Sequence, residues 1–162
     1  MTATNKRDVT VAIDTATDML VCAVAWTDEE TGERAIVARD HMCRRHANEE
    51  LVNTLGEALA EAGLAMGDVD RFVAGRGPGS FTGVRIGIST AKGLALGANV
   101  PLYGVSTLDA CAWTAWKAGE RGLLGVLADA MRGEVYPALY RIDDAGITRL
   151  FDRESVLKAR GS

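Results

Sequence analysis

Residues Val73 to Gly97 read VAGRGPGSFTGVRIGISTAKGLALG. A glycine-dense turn from Gly75 to Gly83 runs into a helix whose small residues recur at every fourth position. Four residues advance an α-helix by slightly more than one turn, so Gly83, Gly87, Ala91 and Ala95 fall on one stripe. Such a stripe lets a second backbone approach closely.

A strand, a glycine-rich loop and a helix N-terminus together make a phosphate cradle, because they supply unpaired N–H groups at a positive dipole end. The residues do not fit its common forms. A P-loop places Lys and then Ser or Thr directly after its second glycine, whereas Gly83 is followed by Val84 and Arg85, with no lysine before Lys92. The dinucleotide fingerprint would need a glycine where Ser80 stands. The turn therefore reads as one that admits close packing of helix on strand. Val84, Ile86, Ile88 and Leu94 give the helix an apolar face against a sheet. The small stripe is a second face, suited to a neighbouring helix of this chain or of a partner chain.

Working outward, VTVAI (Val9 to Ile13) reads as a buried strand ending in Asp14-Thr15-Ala16-Thr17. Leu20 to Trp26 and Arg34 to Met42 read as two more strands around a Gly32 turn, an antiparallel meander. A helix follows from about Asn48 to Ala62, with Leu51, Leu55, Ala58, Leu59 and Ala62 at spacings of three and four and Gly63 as its stop. Asp70 to Gly75 is a strand before the quoted helix, and Pro101 to Val105 a strand after it. That order predicts a mixed five-stranded sheet with parallel strands joined by right-handed helical crossovers.

Thr107 to Lys117 reads as a helix capped by Ser106, and the remainder repeats the beginning. Leu123 to Ala128 ends in Asp129, Glu134 to Ile142 follows a turn at Met131-Arg132-Gly133, and Ile147 to Phe151 follows an Asp-and-Gly turn. Asp14 and Asp129 would hold equivalent places, which argues for two related lobes, 1–106 and a partial one, 107–162. Glu154 to Ala159 reads as the start of a helix.

Forty-eight per cent apolar and 25% charged residues describe a globular chain. Eighteen basic against 22 acidic side chains give a net charge of −4, which speaks against autonomous nucleic-acid binding. Cys22, Cys43 and Cys111 are scattered and form no Cys-x-x-Cys pair, as expected of reduced thiols in the cytoplasm. No apolar run approaches a membrane span.

Candidate chemistry is sparse. Asp14 with Thr15 and Thr17, and Asp129 opposite, could place carboxylates near a metal-phosphate, but Asp after a strand is also a good turn residue and no glycine accompanies Asp14. His41 and His46 flank Cys43, yet their spacing on a segment that begins as a strand does not bring two imidazoles to one helix face, so no metal site is expected. Trp113, Trp116, Tyr136 and Tyr140 read as packing residues. No Ser-His-Asp or Cys-His arrangement stands out, so no catalytic residue is assigned.

The run Gly75-Arg76-Gly77-Pro78-Gly79-Ser80-Phe81-Thr82-Gly83-Val84-Arg85-Ile86-Gly87 closely resembles the signature of the bacterial dimerisation subunits of the tRNA threonylcarbamoyladenosine machinery, the TsaB or YeaZ family. Ala12 to Thr17 and Asp129 to Tyr136 look like two further hallmarks of that family, in the right order. The C-terminal part that family members carry has no counterpart in the chain. The resemblance implies a pair of actin-like, ribonuclease H-like lobes and no chemistry of the chain's own. The family's catalytic paralogue carries a His-x-x-x-His metal motif, and the corresponding stretch here, Val105 to Ala110, holds no histidine.

By the same resemblance, helices of the first lobe pair with those of the TsaD-type catalytic paralogue, or with a second copy when alone. Leu51, Leu55 and Leu59 with Gly83, Gly87, Ala91 and Ala95 are the candidate surface. A TsaE-type ATPase would join the complex, tRNA would be contacted only indirectly, and no cofactor is expected. The alternatives are a homodimeric regulatory protein and an actin-like-fold ATPase or phosphotransferase.

Overall fold

The computed structural model describes residues 6–43, 47–151 and 157–158. Strand β1 (Lys6–Asp14) buries Val9, Val11 and Ile13, alternate residues on one side, and leaves Ala12 and Asp14 on the other. It pairs antiparallel with β2 (Met19–Asp28), which pairs antiparallel with β3 (Arg34–Met42). Asp28 shapes the β2–β3 turn by accepting the N–H groups of Glu30 and Thr31, and the Thr31 bond leads in holding its carboxyl below the usual range.

Helix α1 (Ala47–Glu61) follows and ends where Gly63 takes a left-handed φ of 62°. After a single 3-10 turn at Met66–Asp68 come β4 (Arg71–Gly75), α2 (Phe81–Ala98) and β5 (Leu102–Val105). β4 is parallel to β1 and β5 to β4, which completes a mixed sheet in the order β3-β2-β1-β4-β5. The mixed five-stranded sheet, with its parallel strands β4 and β5 joined through α2, is the one expected from the order of segments. α1 and α2 cover the face formed by Val9, Val11, Ile13, Leu20, Cys22, Val24 and Phe72.

Helix α3 (Thr107–Lys117) leads to a second sheet of β6 (Gly122–Met131), β7 (Glu134–Asp143), β8 (Gly146–Arg149) and β9 (Leu157–Lys158). Its core is separate: Leu108 and Ala112 of α3 pack on Ala138, Tyr140 and Ile142 of β7. The β6–β7 hairpin turns through Arg132 and Gly133 at φ of 57° and 73°, the positive pair that a two-residue loop requires to match strand twist.

Two details differ from the sequence reading. β6 does not stop before Asp129 but runs on to Met131, because the tight hairpin lets pairing continue to Met131 opposite Glu134. Asp14 ends its strand, whereas Asp129 lies inside one, opposite Val135. The helix expected from Glu154 is also corrected where it can be seen: Leu157 and Lys158 are extended and pair with Val135 and Glu134. The rest of that segment, apart from Leu157 and Lys158, lies outside the described residues.

Candidate functional site

The two most distinctive stretches of the sequence, Asp14-Thr15-Ala16 and the glycine run, meet in space. A Cβ added at Gly75 would overlap the Asp14 carboxyl, one at Gly79 the Ala16 carbonyl, and one at Gly83 the Thr15 carbonyl. At Gly87 it would lie 2.5 Å from Thr15 Oγ1. Four glycines at intervals of four thus seat one turn of the β1–β2 connection. The Thr15 hydroxyl donates to the Gly83 carbonyl at 2.7 Å, and the Ser80 N–H donates to Ala16 O at 2.6 Å. The glycines serve close backbone packing, as the residues alone indicated.

Asp14 is engaged on both oxygens. Oδ1 accepts the Ala16 N–H at 2.8 Å, and Oδ2 accepts the Thr107 hydroxyl at 2.8 Å. The Thr107 N–H donates to Gly77 O at 2.9 Å, so the first turn of α3 is tied to both β1 and the glycine loop. Burial, with the Asp14 charge second, pushes the nearby Cys111 thiol above its ordinary value. Thr15 is buried, while Thr17 is exposed and accepts the Met19 N–H at 3.1 Å. Asp129 is exposed on β6. These contacts make Asp14 a clamp between the first sheet and α3. At the N-terminus of α2 the Ser80 side chain caps the Gly83 N–H at 3.2 Å, which takes up one of the donors a phosphate would use.

The seven residues expected to face a partner are placed elsewhere. Leu51, Leu55 and Leu59 are 0%, 1% and 5% exposed, Ala91 and Ala95 are 0% and 4%, and Gly87 is buried with them. Gly83 is half-buried against Thr15. This corrects the expected surface: the small stripe admits the chain's own β1–β2 turn and sheet, and the α1 leucines fill the same core.

Two residues further along a helix is a rotation of about 200°, nearly the opposite side. There α2 carries a second stripe at the same spacing, Arg85, Ser89, Gly93 and Gly97, all exposed, with Phe81 and Leu96 exposed beside it at 76% and 72%. On α1 the exposed positions Val52, Gly56 and Ala60 repeat the pattern. Nothing lies within 4 Å of a Cβ added at Gly56, Gly93 or Gly97. A groove of about 320 Å³, lined by Thr82, Arg85, Ile86, Ser89 and Thr90, runs along α2. Sequence reasoning missed these residues although the signal was the same every-fourth spacing.

Among the described residues no Ser-His-Asp arrangement is formed: the Thr107 hydroxyl is bound to the Asp14 carboxylate, which also holds the Ala16 N–H. His46, Arg44 and Arg45 lie outside the described residues. No helix is long and apolar enough to cross a membrane among the described residues.

Residues 39–156 match the family described as TsaD, tRNA N6-adenosine threonylcarbamoyltransferase. The chain is 43% identical over 150 residues to the tRNA threonylcarbamoyladenosine biosynthesis protein TsaB of Escherichia coli, covering 91% of this chain and 62% of that one. It is 31% identical over 153 residues to the protein of the same name from Bacillus subtilis, covering 92% and 62%. A solved structure, YeaZ from Pseudomonas aeruginosa, superposes with a TM-score of 0.79 at 31% identity over 93% of this chain and 67% of that one. The chain spans about three fifths of the length of these curated relatives.

Proposed function

Because the chain belongs to the TsaB (YeaZ) family of tRNA threonylcarbamoyladenosine biosynthesis proteins, we propose that it is a non-catalytic docking subunit of the complex that transfers a threonylcarbamoyl group to N6 of the adenosine beside the anticodon. The observation that carries this reading is the pair of exposed small-residue faces, Val52-Gly56-Ala60 on α1 and Ser89-Gly93-Gly97 on α2, flanked by exposed Phe81 and Leu96. Helices with small residues at that spacing pack at short interaxial distance, and the apolar flanks supply the area that drives association. The partner in this reading is the TsaD-type catalytic paralogue. A second copy of the chain occupies the same faces when the paralogue is absent, and an ATPase subunit of the TsaE type joins the assembled complex.

Support for a role without chemistry of its own comes from Asp14, whose oxygens are taken by Ala16 and Thr107, and from the −4 net charge, which suits a scaffold better than a tRNA-gripping surface. Binding of the rigid two-helix platform would bias the paralogue toward its competent form. We place this work in the cytoplasm and read 1–106 as one lobe and 107–162 as part of a second.

Light scattering of the chain alone and mixed with the catalytic paralogue of the same cell tests the reading. The expected result is a homodimer that gives way to a heterodimer. A chain that stays monomeric in both samples refutes docking through these helices, and a homodimer that ignores the paralogue favours the regulatory homodimer instead.

A further inference from the structure

The end of β3 and the start of α1 bring together three metal-ligating groups that the docking role does not use. His41 is next to last in β3 and Cys43 stands one residue past its end, with their ligand atoms near each other. Glu50, on the first turns of α1, meets them: His41 Nε2 and Glu50 Oε2 are 2.7 Å apart, and the imidazole, thiol and carboxylate ligand atoms all lie within 4.8 Å of one another. His41 and Glu50 form an ion pair at the surface, and Cys43, packed against the edge of the first core, brings a sulfur to the same pair.

We propose that His41, Cys43 and Glu50 form a binding site for a thiophilic divalent cation of the zinc type, clasping the end of β3 to the first turns of α1. One nitrogen, one sulfur and one oxygen are the donors zinc accepts in tetrahedral sites, with water in the fourth position. Bonds of about 2.0–2.3 Å put such donors roughly 3.2–3.8 Å apart, a spacing that small rotamer changes reach from the present arrangement. The frame is already set. The Cys43 N–H donates to Asp18 O at 2.8 Å, and His41 is held in register opposite Leu20. Both His41 and Glu50 side chains are about two-fifths exposed, at 40% and 41%, which admits a hydrated ion. Asp40 and Glu57 line the same surface hollow as His41 and Glu50, and Arg39, which also lines it, is paired with Glu61.

The sequence reading paired His41 with His46 and found no shared face. The fold supplies Glu50 as the third ligand instead, from a helix that sequence spacing alone could not bring to the strand. Binding needs the Cys43 thiol to give its proton to solvent and His41 to offer an unprotonated Nε2, its ring proton then on Nδ1.

Cobalt(II) titration of the full chain tests the site, because a thiolate bound to cobalt gives a near-ultraviolet charge-transfer band. The wild-type chain should show the band and lose it on addition of zinc. Cys43→Ser should abolish it, and His41→Ala and Glu50→Gln should each weaken cobalt binding roughly tenfold or more. Cys111→Ser should leave it unchanged, and circular dichroism should show all four variants folded. No band in the wild-type chain, a band that survives Cys43→Ser, or one that vanishes in Cys111→Ser overturns the proposal.

Discussion

At the level of single residues, the glycines of α2 divide by what their missing side chains would meet. In an exposed helix interior Gly→Ala gains about 0.5–1 kcal/mol from backbone entropy and propensity, and Gly93 has open space around it. Gly93→Ala should therefore raise the stability of the monomer by about that amount. Gly83→Ala and Gly87→Ala carry the same propensity gain but drive a methyl into the Thr15 carbonyl and hydroxyl. Overpacking costs about 1–3 kcal/mol, here against a backbone carbonyl at Gly83 and against the buried, hydrogen-bonded Thr15 hydroxyl at Gly87, so both should destabilise. Urea denaturation of the three variants reads the sign directly. Equal gains at all three positions would show that the β1–β2 turn does not sit on the helix. The spacing of these glycines was legible in the sequence. Their neighbour was not, because Thr15 lies 68 residues from Gly83 in the chain and a residue without a side chain carries no mark of what it makes room for.

Among the elements, α2 carries two stripes at the same spacing, one on each side, and the sequence reading took the inward one for the surface. Gly83, Gly87, Ala91 and Ala95 look like a docking stripe because they are uniformly small, yet they face a sheet whose own residues, Val11, Ile13 and Ala74, are of modest size. The outward stripe begins at the charged Arg85 and has Lys92 beside it, which disguised it. Helix and strand positions were legible nearly throughout, since apolar period and turn residues agree at each boundary. Arg34–Met42 and Thr107–Lys117 match the expected bounds residue for residue. The strand at Leu157–Lys158 was not legible, because its formation depends on an edge that β7 provides. The exposed stripe makes its own prediction. Gly56→Leu and Gly93→Leu should leave the monomer folded and abolish pairing in light scattering, because a leucine there would hold the partner helix away. Pairing that survives both changes, in chains shown folded by circular dichroism, would remove these faces from the interface.

For the molecule as a whole, the two cores are joined at one corner by Asp14, Gly77 and Thr107, and each holds a buried acid that resists ionisation. Burial pushes the Cys22 thiol of the first core from 9.0 up to about 12. In the second core burial, then the hydrogen bond to Asp109, raises the Tyr140 phenol well above its ordinary 10.0. An acid whose folded value is raised keeps its proton in the native chain and gives it up when unfolded, so stability is full below the unfolded value and falls as pH rises past it. Stability should therefore decline from pH 9.0 through Cys22 and more steeply above 10.0 as Tyr140 joins. Thermal midpoints measured across that range check the prediction, and two variants apportion it. Cys22→Ala lowers stability at neutral pH by emptying core volume but should flatten the decline that begins at 9.0, while Tyr140→Phe should flatten the part above 10.0. Because the Asp14–Thr107 bond couples the corner, both variants should shift a single transition. If the tryptophans of α3, Trp113 and Trp116, instead report a second transition that moves only with Tyr140→Phe, the two cores unfold independently and the clamp at Asp14 does not transmit stability between them.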